Sequence, residues 1–257
     1  MAAQRQDEIA ALERAAVAAW RAEEIVDLGP WRLRAMHGVT NRANSVWAGP
    51  GEPPGGFAAG IDAVEAFYAA RGLPAIFQIT PVADPGLGAL LAARGYERFD
   101  EVSVQVANAE RVAALPLRDG VHARCEAALG AAWFSLSGER GRFSGEASRV
   151  YRAFLERIEP SAGFASASAG AGELGAVGLT LVAPPLAGVF SMLTLPEQRR
   201  RGLADAVLGE IARFARKRGA TRLYLQVEVA NEPARALYAR AGFGEAYRYH
   251  YRGRATQ

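Results

Sequence analysis

The sequence has 257 residues, 50% hydrophobic and 22% charged, which excludes a disordered chain and allows one large or two ordinary domains. Its net charge of +3 at pH 7 is dispersed, because arginines alternate with acidic residues over most of the chain, so charge alone indicates no nucleic-acid partner. The single cysteine, Cys125, excludes an internal disulfide, and we interpret it as a small apolar packing residue. The three histidines lie far apart, so no metal site is predicted.

No apolar run approaches the roughly 20 residues that a membrane-spanning helix needs, so no membrane partner is expected. Residues 7–20 are charged and amphipathic, which is not the pattern of a signal peptide. The expected location is therefore the cytoplasm.

The first half of the chain predicts a helix, a strand and a second helix. Apolar residues over 61–68 have helical spacing, and this helix ends near Gly72. Residues 76–79 predict a strand, and a further helix precedes Gly95. The first of these helices follows a flexible turn rich in glycine and proline, 50–56.

A polar, turn-rich stretch at 108–120 follows the first half. We interpret it as a linker between two domains, 1–113 and 114–257. The second half then predicts a helix over 146–158 and an antiparallel meander. Its strands are predicted at 163–167, 175–181 and 189–195, with a proline pair before the last.

Between the strand 189–195 and a helical run at 203–218 lies a basic turn with three arginines, 199–201, and Gly202. A strand that leads through such a turn into a helix directs several backbone N–H groups and the positive helix end at one point. Gly202 lets a ligand approach the backbone, and the arginines add charge. The pattern predicts a phosphate-binding site. In isolation it also fits a basic turn that caps a surface helix.

A second pattern follows the next predicted strand, 222–229. Together the two patterns resemble the signatures of the GNAT superfamily of N-acetyltransferases over about residues 189–249. The first signature, R/Q-x-x-G-x-G/A, is met by Arg199, Gly202 and Ala204. The second, N-x-x-A-x-x-L-Y-x-x-x-G-F, is met by Asn231, Ala234, Leu237, Tyr238, Gly242 and Phe243. Their order, with a helix and a strand between them, favours the phosphate-binding interpretation.

The resemblance implies that acetyl-CoA is a co-substrate and indicates where it binds. Backbone N–H groups from Arg200 to Asp205 would cradle the pyrophosphate, and backbone groups near Met192 would bind the pantetheine amides where two strands splay apart. Asn231 would bond the pantetheine arm, and it is equally suited to cap a helix. The predicted cofactor-binding residues are Met192, Leu193, Thr194, Arg199, Arg200, Arg201, Gly202, Leu203, Ala204, Asp205 and Asn231.

For catalysis, the resemblance assigns Tyr238 as the general acid that protonates the departing CoA thiolate, and an ordinary core tyrosine is the alternative. Many family members carry Glu where this chain has Gln226, which cannot take a proton. Glu228, two residues later on the same strand face, is the predicted base, directly or through water. It equally fits a solvated side chain without a role. Glu139, in a predicted loop at 137–143, is a second candidate.

The first half repeats the second in weakened form. Two pairs of segments align at nearly the same offset: 76–79 with 224–227, and 90–96 with 237–243. Leu91 stands where Tyr238 stands, and the turn before the first-half helix carries no arginine. The first half has therefore lost the residues that the second half would use for chemistry.

The predicted fold class is α+β (mixed α/β), with two GNAT-like domains. Each is a central, mostly antiparallel twisted sheet flanked by helices, and splayed strands bind acetyl-CoA in the C-terminal one. We interpret 1–113 as a degenerate domain and 114–257 as the catalytic domain. A single transferase with an unrelated N-terminal domain is the alternative. The halves are expected to form an intramolecular pseudo-dimer in a monomer, and polar residues within 31–34 and 41–45 to wall the acceptor cleft.

The predicted function is direct transfer of an acetyl group from acetyl-CoA to an amine of a small molecule or peptide. The competing prediction is a catalytically weak acyl-CoA-binding sensor or scaffold. Tyr238 favours the enzyme, whereas Gln226 favours the sensor. The sequence does not identify the acceptor, and a homodimer remains an alternative to the monomer.

Overall fold

The computed structural model describes residues 2–158, 161–170 and 172–254, and these residues contain eight α-helices and eleven β-strands. They form two compact units, each assembled from separate chain segments. The first unit comprises Met1–Ser103, Glu228–Ala230 and Tyr247–Gln257, and the second comprises Val104–Val227 and Asn231–Ala246.

The first unit combines helices with a mostly antiparallel sheet. Its elements are α1 (Ala2–Ala19), β1 (Glu24–Leu28), β2 (Trp31–Ala35), β3 (Val46–Ala48), α2 (Gly56–Ala69), β4 (Ile76–Ile79), α3 (Leu87–Ala93), the start of β5 (Glu97–Asn108) and the end of β11 (Gly244–Gly253). The strand order is β1-β2-β3-β4-β11, and only β3 and β4 run parallel, with Val46 opposite Phe77.

The second unit has the same character. Its elements are the end of β5, α4 (Ala109–Ala113), β6 (Val121–Glu126), α5 (Ala131–Phe134), a π-helical segment (Ser135–Arg142), α6 (Gly145–Arg157), β7 (Ala162–Ala169), β8 (Ala176–Ala183), β9 (Leu186–Thr194), α7 (Leu203–Lys217), β10 (Arg222–Glu228), α8 (Glu232–Arg240) and the start of β11. The last residue of β10, Glu228, belongs to the first unit. The strand order is β6-β7-β8-β9-β10, and only β9 and β10 run parallel.

In each unit a helix with a buried apolar face packs against the strands of that unit. In the first unit Ile61 and Val64 of α2 are fully buried in a core with Phe77. In the second, Val207 and Ile211 of α7 are fully buried against the sheet. This burial is the main stabilising contribution, at about 25 cal/mol per Å² of apolar surface. No helix in the described ranges combines the length and apolarity needed to cross a bilayer.

The observed architecture is mixed α/β, with mostly antiparallel strands flanked by helices, as predicted. The predicted strand 76–79 is β4, and the predicted helix 203–218 is α7 with its end one residue earlier. The predicted loop 137–143 is different, because Ser135–Arg142 continues α5 as a π-helical segment. The glycines in that stretch suggested a loop, but the chain keeps helical hydrogen bonding through them.

The stretch predicted as a linker is in part a helix. Asn108 caps the N-terminus of α4, and its Oδ1 accepts hydrogen bonds from the N–H groups of Glu110 at 2.8 Å and Arg111 at 3.1 Å. Ala109 and Val112 are fully buried in the core of the second unit. Five residues are too few for a helical period to be recognised among polar neighbours, so the turn-rich composition of this stretch predicted a linker and not a helix.

Helix ends in the two units have the same backbone geometry. Gly55 and Gly202 precede α2 and α7, and both lie in the left-handed region, with φ of +81° and +84°. The turns that close these helices also correspond: the Leu73 N–H donates to Tyr68 O at 3.0 Å, and the Ala220 N–H donates to Ala215 O at 3.1 Å.

The final strand completes the first unit. β11 pairs antiparallel with β4, placing His250 opposite Ile79 and Gly253 opposite Ile76. The first unit therefore ends its leading segment at Ser103 and is completed by residues from the far end of the described chain.

A hydrogen-bonded group of polar residues, with Arg34 and Glu13 at its ends, is buried inside the first unit. The Arg34 guanidinium donates to Ser45 O at 3.0 Å, to Ser45 Oγ at 2.9 Å and to Gln78 Oε1 at 2.7 Å. The Gln78 amide in turn donates to Glu13 Oε2 at 3.2 Å, and Tyr247 donates to the other oxygen of Glu13. The buried polar groups of Arg34, Gln78 and Glu13 thus have hydrogen-bond partners, as burial in a low dielectric requires.

These contacts correct the expectation that polar residues within 31–34 and 41–45 wall an acceptor cleft. Arg34 and Ser45 bond to each other, as described above. Asn44 Oδ1 accepts from the N–H groups of Met36 at 2.7 Å and Gly38 at 2.9 Å. All three polar side chains are buried and stabilise their own unit, so the expectation is wrong for them.

We expect Glu13 to make stability depend on pH. Burial raises the pKa of its carboxyl from 4.5 to about 7, against the opposing effects of Tyr247 and Arg34. The folded state therefore binds the Glu13 proton more tightly than the unfolded chain does. The stabilisation from this difference is fully present below pH 4.5, and the free energy of unfolding falls by up to about 3 kcal/mol as pH rises to about 7. Glu13→Gln should unfold with a flatter pH dependence over that window, measured by tryptophan fluorescence in urea. Identical slopes in both proteins would contradict the prediction.

Candidate functional site

The turn between β9 and α7 has a backbone suited to an anion. β9 ends at Thr194, a 3₁₀ turn spans Pro196–Gln198, and α7 begins at Leu203. Arg200 and Gly202 lie in the left-handed region, with φ of +62° and +84°. Backbone that enters this region at closely spaced residues turns successive N–H groups toward one concave side, and such concavities bind anions.

The N-terminus of α7 is open. Gly202 occupies the cap position and supplies no side-chain acceptor to the first turn. The N–H groups of Leu203, Ala204 and Asp205 have no acceptor within the helix. They and the helix dipole together favour a negatively charged ligand at this point.

The arginines of the turn are exposed and add positive charge. Arg201 donates to Gln198 Oε1 at 2.8 Å. In the part of the chain that the structure describes, no carboxylate forms an ion pair with Arg199, Arg200 or Arg201. Their charge is therefore not neutralised by a carboxylate of the described residues.

Sequence reasoning missed a fourth arginine at this turn. Arg118 lies in the stretch predicted as a linker, yet its side chain lies against Gly202, where an added Cβ would be 2.6 Å from the Arg118 Cδ. Its Nη1 is 3.5 Å from Arg200 O. No local signal marks this contact, because the two residues are brought together only by the fold.

Strands β9 and β10 separate beside this turn. Their parallel pairing runs from Leu186 opposite Arg222 to Val189 opposite Leu225. Beyond that pair both strands continue, β9 to Thr194 and β10 to Glu228. The described register thus contains the separation that the resemblance implied.

The other edge of β9 stays paired, but with an irregularity. Val177 of β8 is opposite Leu193, whereas Leu179 is opposite Phe190, so one residue of β8 faces two of β9. Ser191 within this bulge has φ of +49°. The bulge lies where β9 leaves β10, and it changes the direction of the residues that follow, Met192 to Thr194.

Asn231 has the structural role that was one of its two predicted alternatives. Its Oδ1 accepts from the Ala234 N–H at 3.2 Å and so caps α8. The side chain is exposed, and its predicted bond to pantetheine stays a prediction.

Tyr238 lies on α8 with 8% of its surface exposed. Its ring packs edge-on against Phe243, with centroids 5.8 Å apart, in the core cluster that contains Leu225 and Val227. The ring is therefore anchored by packing, and its role as general acid stays a prediction.

The two candidate bases, Glu228 and Glu139, lie on other elements than Tyr238. Glu228 is exposed at the end of β10 and is grouped with the first unit, whereas Gln226 belongs to the second. Glu139 lies in the π-helical segment, and side chains 139–142 lie outside the described part of the chain.

Burial raises the pKa of the Cys125 thiol to about 12, which does not suit a nucleophile. Among the described residues, no cluster of ligating side chains could hold a metal.

Residues 6–252 match the protein family described as "Probable histone acetyltransferase Rv0428c C-terminal". The "Uncharacterized N-acetyltransferase YobR" of Bacillus subtilis (strain 168) is 32% identical over 250 residues, covering 96% of this chain and 98% of that protein. The chain belongs to this family of GNAT N-acetyltransferases. It is accordingly an acetyltransferase enzyme.

Other relatives of this N-acetyltransferase match a smaller part or share only the fold. The "[Ribosomal protein bS18]-alanine N-acetyltransferase" of Escherichia coli (strain K12) is 36% identical over 75 residues, 29% of this chain and 51% of that protein. A GCN5-related N-acetyltransferase from Kribbella flavida has a TM-score of 0.69 at 18% identity, with 95% of both chains covered. A tandem GNAT protein from the clavulanic acid biosynthesis pathway has a TM-score of 0.64 at 18% identity, covering 83% of this chain and 76% of that one.

In this GNAT N-acetyltransferase, the residues predicted for the cofactor and the predicted acid all belong to the second unit. The strand residues at 192–194 and the turn at 199–205 follow one another directly, and α8 supplies Asn231 and Tyr238. Glu228 is the predicted site residue outside that unit.

Proposed function

We propose that this enzyme transfers an acetyl group from acetyl-CoA directly to an amine. The observation that carries the proposal is the uncapped N-terminus of α7, with left-handed Gly202 and exposed arginines that form no ion pair among the described residues, next to strands that separate after Val189. A pyrophosphate needs the first feature, and a pantetheine arm that binds backbone groups needs the second. General GNAT chemistry uses acetyl-CoA, and these residues fit it.

The proposed binding roles divide between the turn and the strand. The N–H groups from Arg200 to Asp205 bind the pyrophosphate, with Arg199 and Arg201 adding charge. Backbone groups of 192–194 bind the pantetheine amides, as an added strand would. The exposed Asn231 side chain bonds the same arm while it caps α8.

The proposed reaction forms an N–C bond and breaks the C–S bond of the thioester. Tyr238 donates its proton to the departing sulfur, or hydrogen-bonds to it. The proton is retained until charge develops, because a thiol has a pKa near 8.5 and a tyrosine near 10. Glu228 takes the amine proton, directly or through water. Holding the two reactants together supplies much of the rate, so a strong base is not essential.

A second candidate function, an acyl-CoA sensor that transfers poorly, is favoured by Gln226, which occupies a position where a carboxylate would act as base. It shares the binding roles above and differs only in turnover.

We also propose that residues 1–113 are a degenerate copy of the catalytic part, 114–257. Left-handed Gly55 repeats the helix cap of the second unit, but Pro53 and Pro54 before it have no N–H to offer a phosphate. Leu91 replaces the tyrosine. The fold similarity to a tandem GNAT protein supports this interpretation. One acetyl-CoA should therefore bind per chain, in a cytoplasmic monomer.

The test is calorimetry with acetyl-CoA, followed by release of the CoA thiol with a panel of amines. The panel should include polyamines, aminoglycosides, lysine peptides and peptides with N-terminal alanine, the residue named for the Escherichia coli relative. We expect one site per chain and thiol release with at least one amine. Absence of binding would refute the proposal, two sites per chain would refute the degenerate copy, and binding without release would favour the sensor.

A further inference from the structure

Three hydroxyl groups meet at the bulge of β9. The Tyr151 hydroxyl is 2.7 Å from Ser191 Oγ and 3.2 Å from Ser137 Oγ. Tyr151 lies on α6 and is fully buried. Its ring is held by Phe143, with centroids 4.5 Å apart, and by Phe154 at 6.4 Å. The hydroxyl is therefore fixed in position before it bonds to Ser191.

Ser191 occupies a conformation that needs support. A non-glycine residue in the left-handed region costs roughly 1–2 kcal/mol. A hydrogen bond such as that between the Tyr151 and Ser191 hydroxyls contributes about 1 kcal/mol, which is enough to offset most of that cost. Without the bond, extended backbone at Ser191 would be favoured, and extended backbone would remove the bulge.

The opposing strand is built to accept the bulge. An added Cβ on Gly178 would be 2.6 Å from the Met192 sulfur and 2.8 Å from a Val207 methyl group. The Met192 side chain therefore fills the space that this glycine leaves open. The position of Met192 depends on the bulge from one side and on Gly178 from the other.

We propose that Tyr151 is a positioning residue for acetyl-CoA, acting through Ser191. Its hydroxyl holds the bulge, and the bulge sets the direction in which Met192 to Thr194 leave β10. Through the same hydroxyl, Ser137 links the π-helical segment to this strand. The inference rests on the proposed function, because it assigns to these strand residues the binding of the pantetheine arm.

The experiment compares Tyr151→Phe and Ser191→Ala with wild type. Both variants should weaken acetyl-CoA binding about tenfold by calorimetry, while kcat at saturating acetyl-CoA changes less than threefold. The double variant should bind no worse than either single variant, because both remove the same bond. Ser191→Gly should lose less affinity than Ser191→Ala, since glycine adopts the left-handed conformation without strain.

The matched control is Thr180→Val, which removes a fully buried hydroxyl of β8 that has no hydrogen-bond partner among the described residues. It should bind acetyl-CoA as wild type does. Wild-type affinity in both Tyr151→Phe and Ser191→Ala, additive losses in the double variant, or an equal loss in the control would each overturn the inference. A wild-type protein that does not bind acetyl-CoA would instead refute the proposed function. If Tyr151→Phe does not fold, the two Ser191 variants decide.

Discussion

Replacing Gly202 with Glu is expected to abolish acetyl-CoA binding, an affinity loss of more than about 100-fold. The new side chain would adopt a φ of +84° only with strain and would displace Arg118, whose Cδ lies 2.6 Å from the added Cβ. Its carboxylate would then stand at the helix N-terminus, where the pyrophosphate is proposed to bind. Calorimetry on folded protein measures the effect.

Gly55→Glu is the matched control. Gly55 precedes α2 with φ of +81°, so the backbone strain is the same, and the nearest atom to an added Cβ is the Ala59 Cβ at 3.2 Å. Gly55→Glu should therefore lose stability through the same backbone strain, but it should bind acetyl-CoA as wild type does. If Gly202→Glu also bound normally, the turn would not be the pyrophosphate site.

Tyr238→Phe is expected to lower turnover about 100-fold while acetyl-CoA affinity stays within a few-fold of wild type. Phenylalanine retains the edge-on packing with Phe243, so the loss is confined to the hydroxyl. Steady-state kinetics with an acceptor for which chemistry limits the rate, together with calorimetry, separate the two quantities.

Tyr96→Phe serves as the control for loss of a tyrosine hydroxyl. That hydroxyl donates to Glu65 Oε1 at 2.9 Å in the first unit, remote in sequence from the predicted site. Its removal should leave turnover unchanged. Equal turnover in wild type and Tyr238→Phe would mean that the thiolate leaves without an acid.

Most elements could be predicted because their signals are local. The helical spacing of α7 and the apolar run of β9 are each complete within one short segment. Helix α4 could not be predicted, because its burial depends on contacts with α7 and not on its own five residues. The pairing of β11 with β4 was also hidden, since hydrogen-bond partners across a sheet leave no mark on either strand's composition.

The turn between β9 and α7 could be predicted because glycine, arginine and helix onset are adjacent in sequence. Arg118 and Tyr151 could not, because each reaches its partner from a distant segment. Arg34 was misplaced for a related reason: an arginine is expected at the surface, and only the fold brings Ser45 and Gln78 close enough to bury it.

The position of β11 at the end of the element order affects how the protein is made. A ribosome synthesises β4 well before the strand that pairs with it, so the first unit cannot complete its strand pairing until β11 has been made. Until then an edge of β4 is open to wrong pairing or to a chaperone. Chains released before Tyr247 would keep that edge exposed, and a cell could recognise and degrade them even when every residue proposed to bind acetyl-CoA is present.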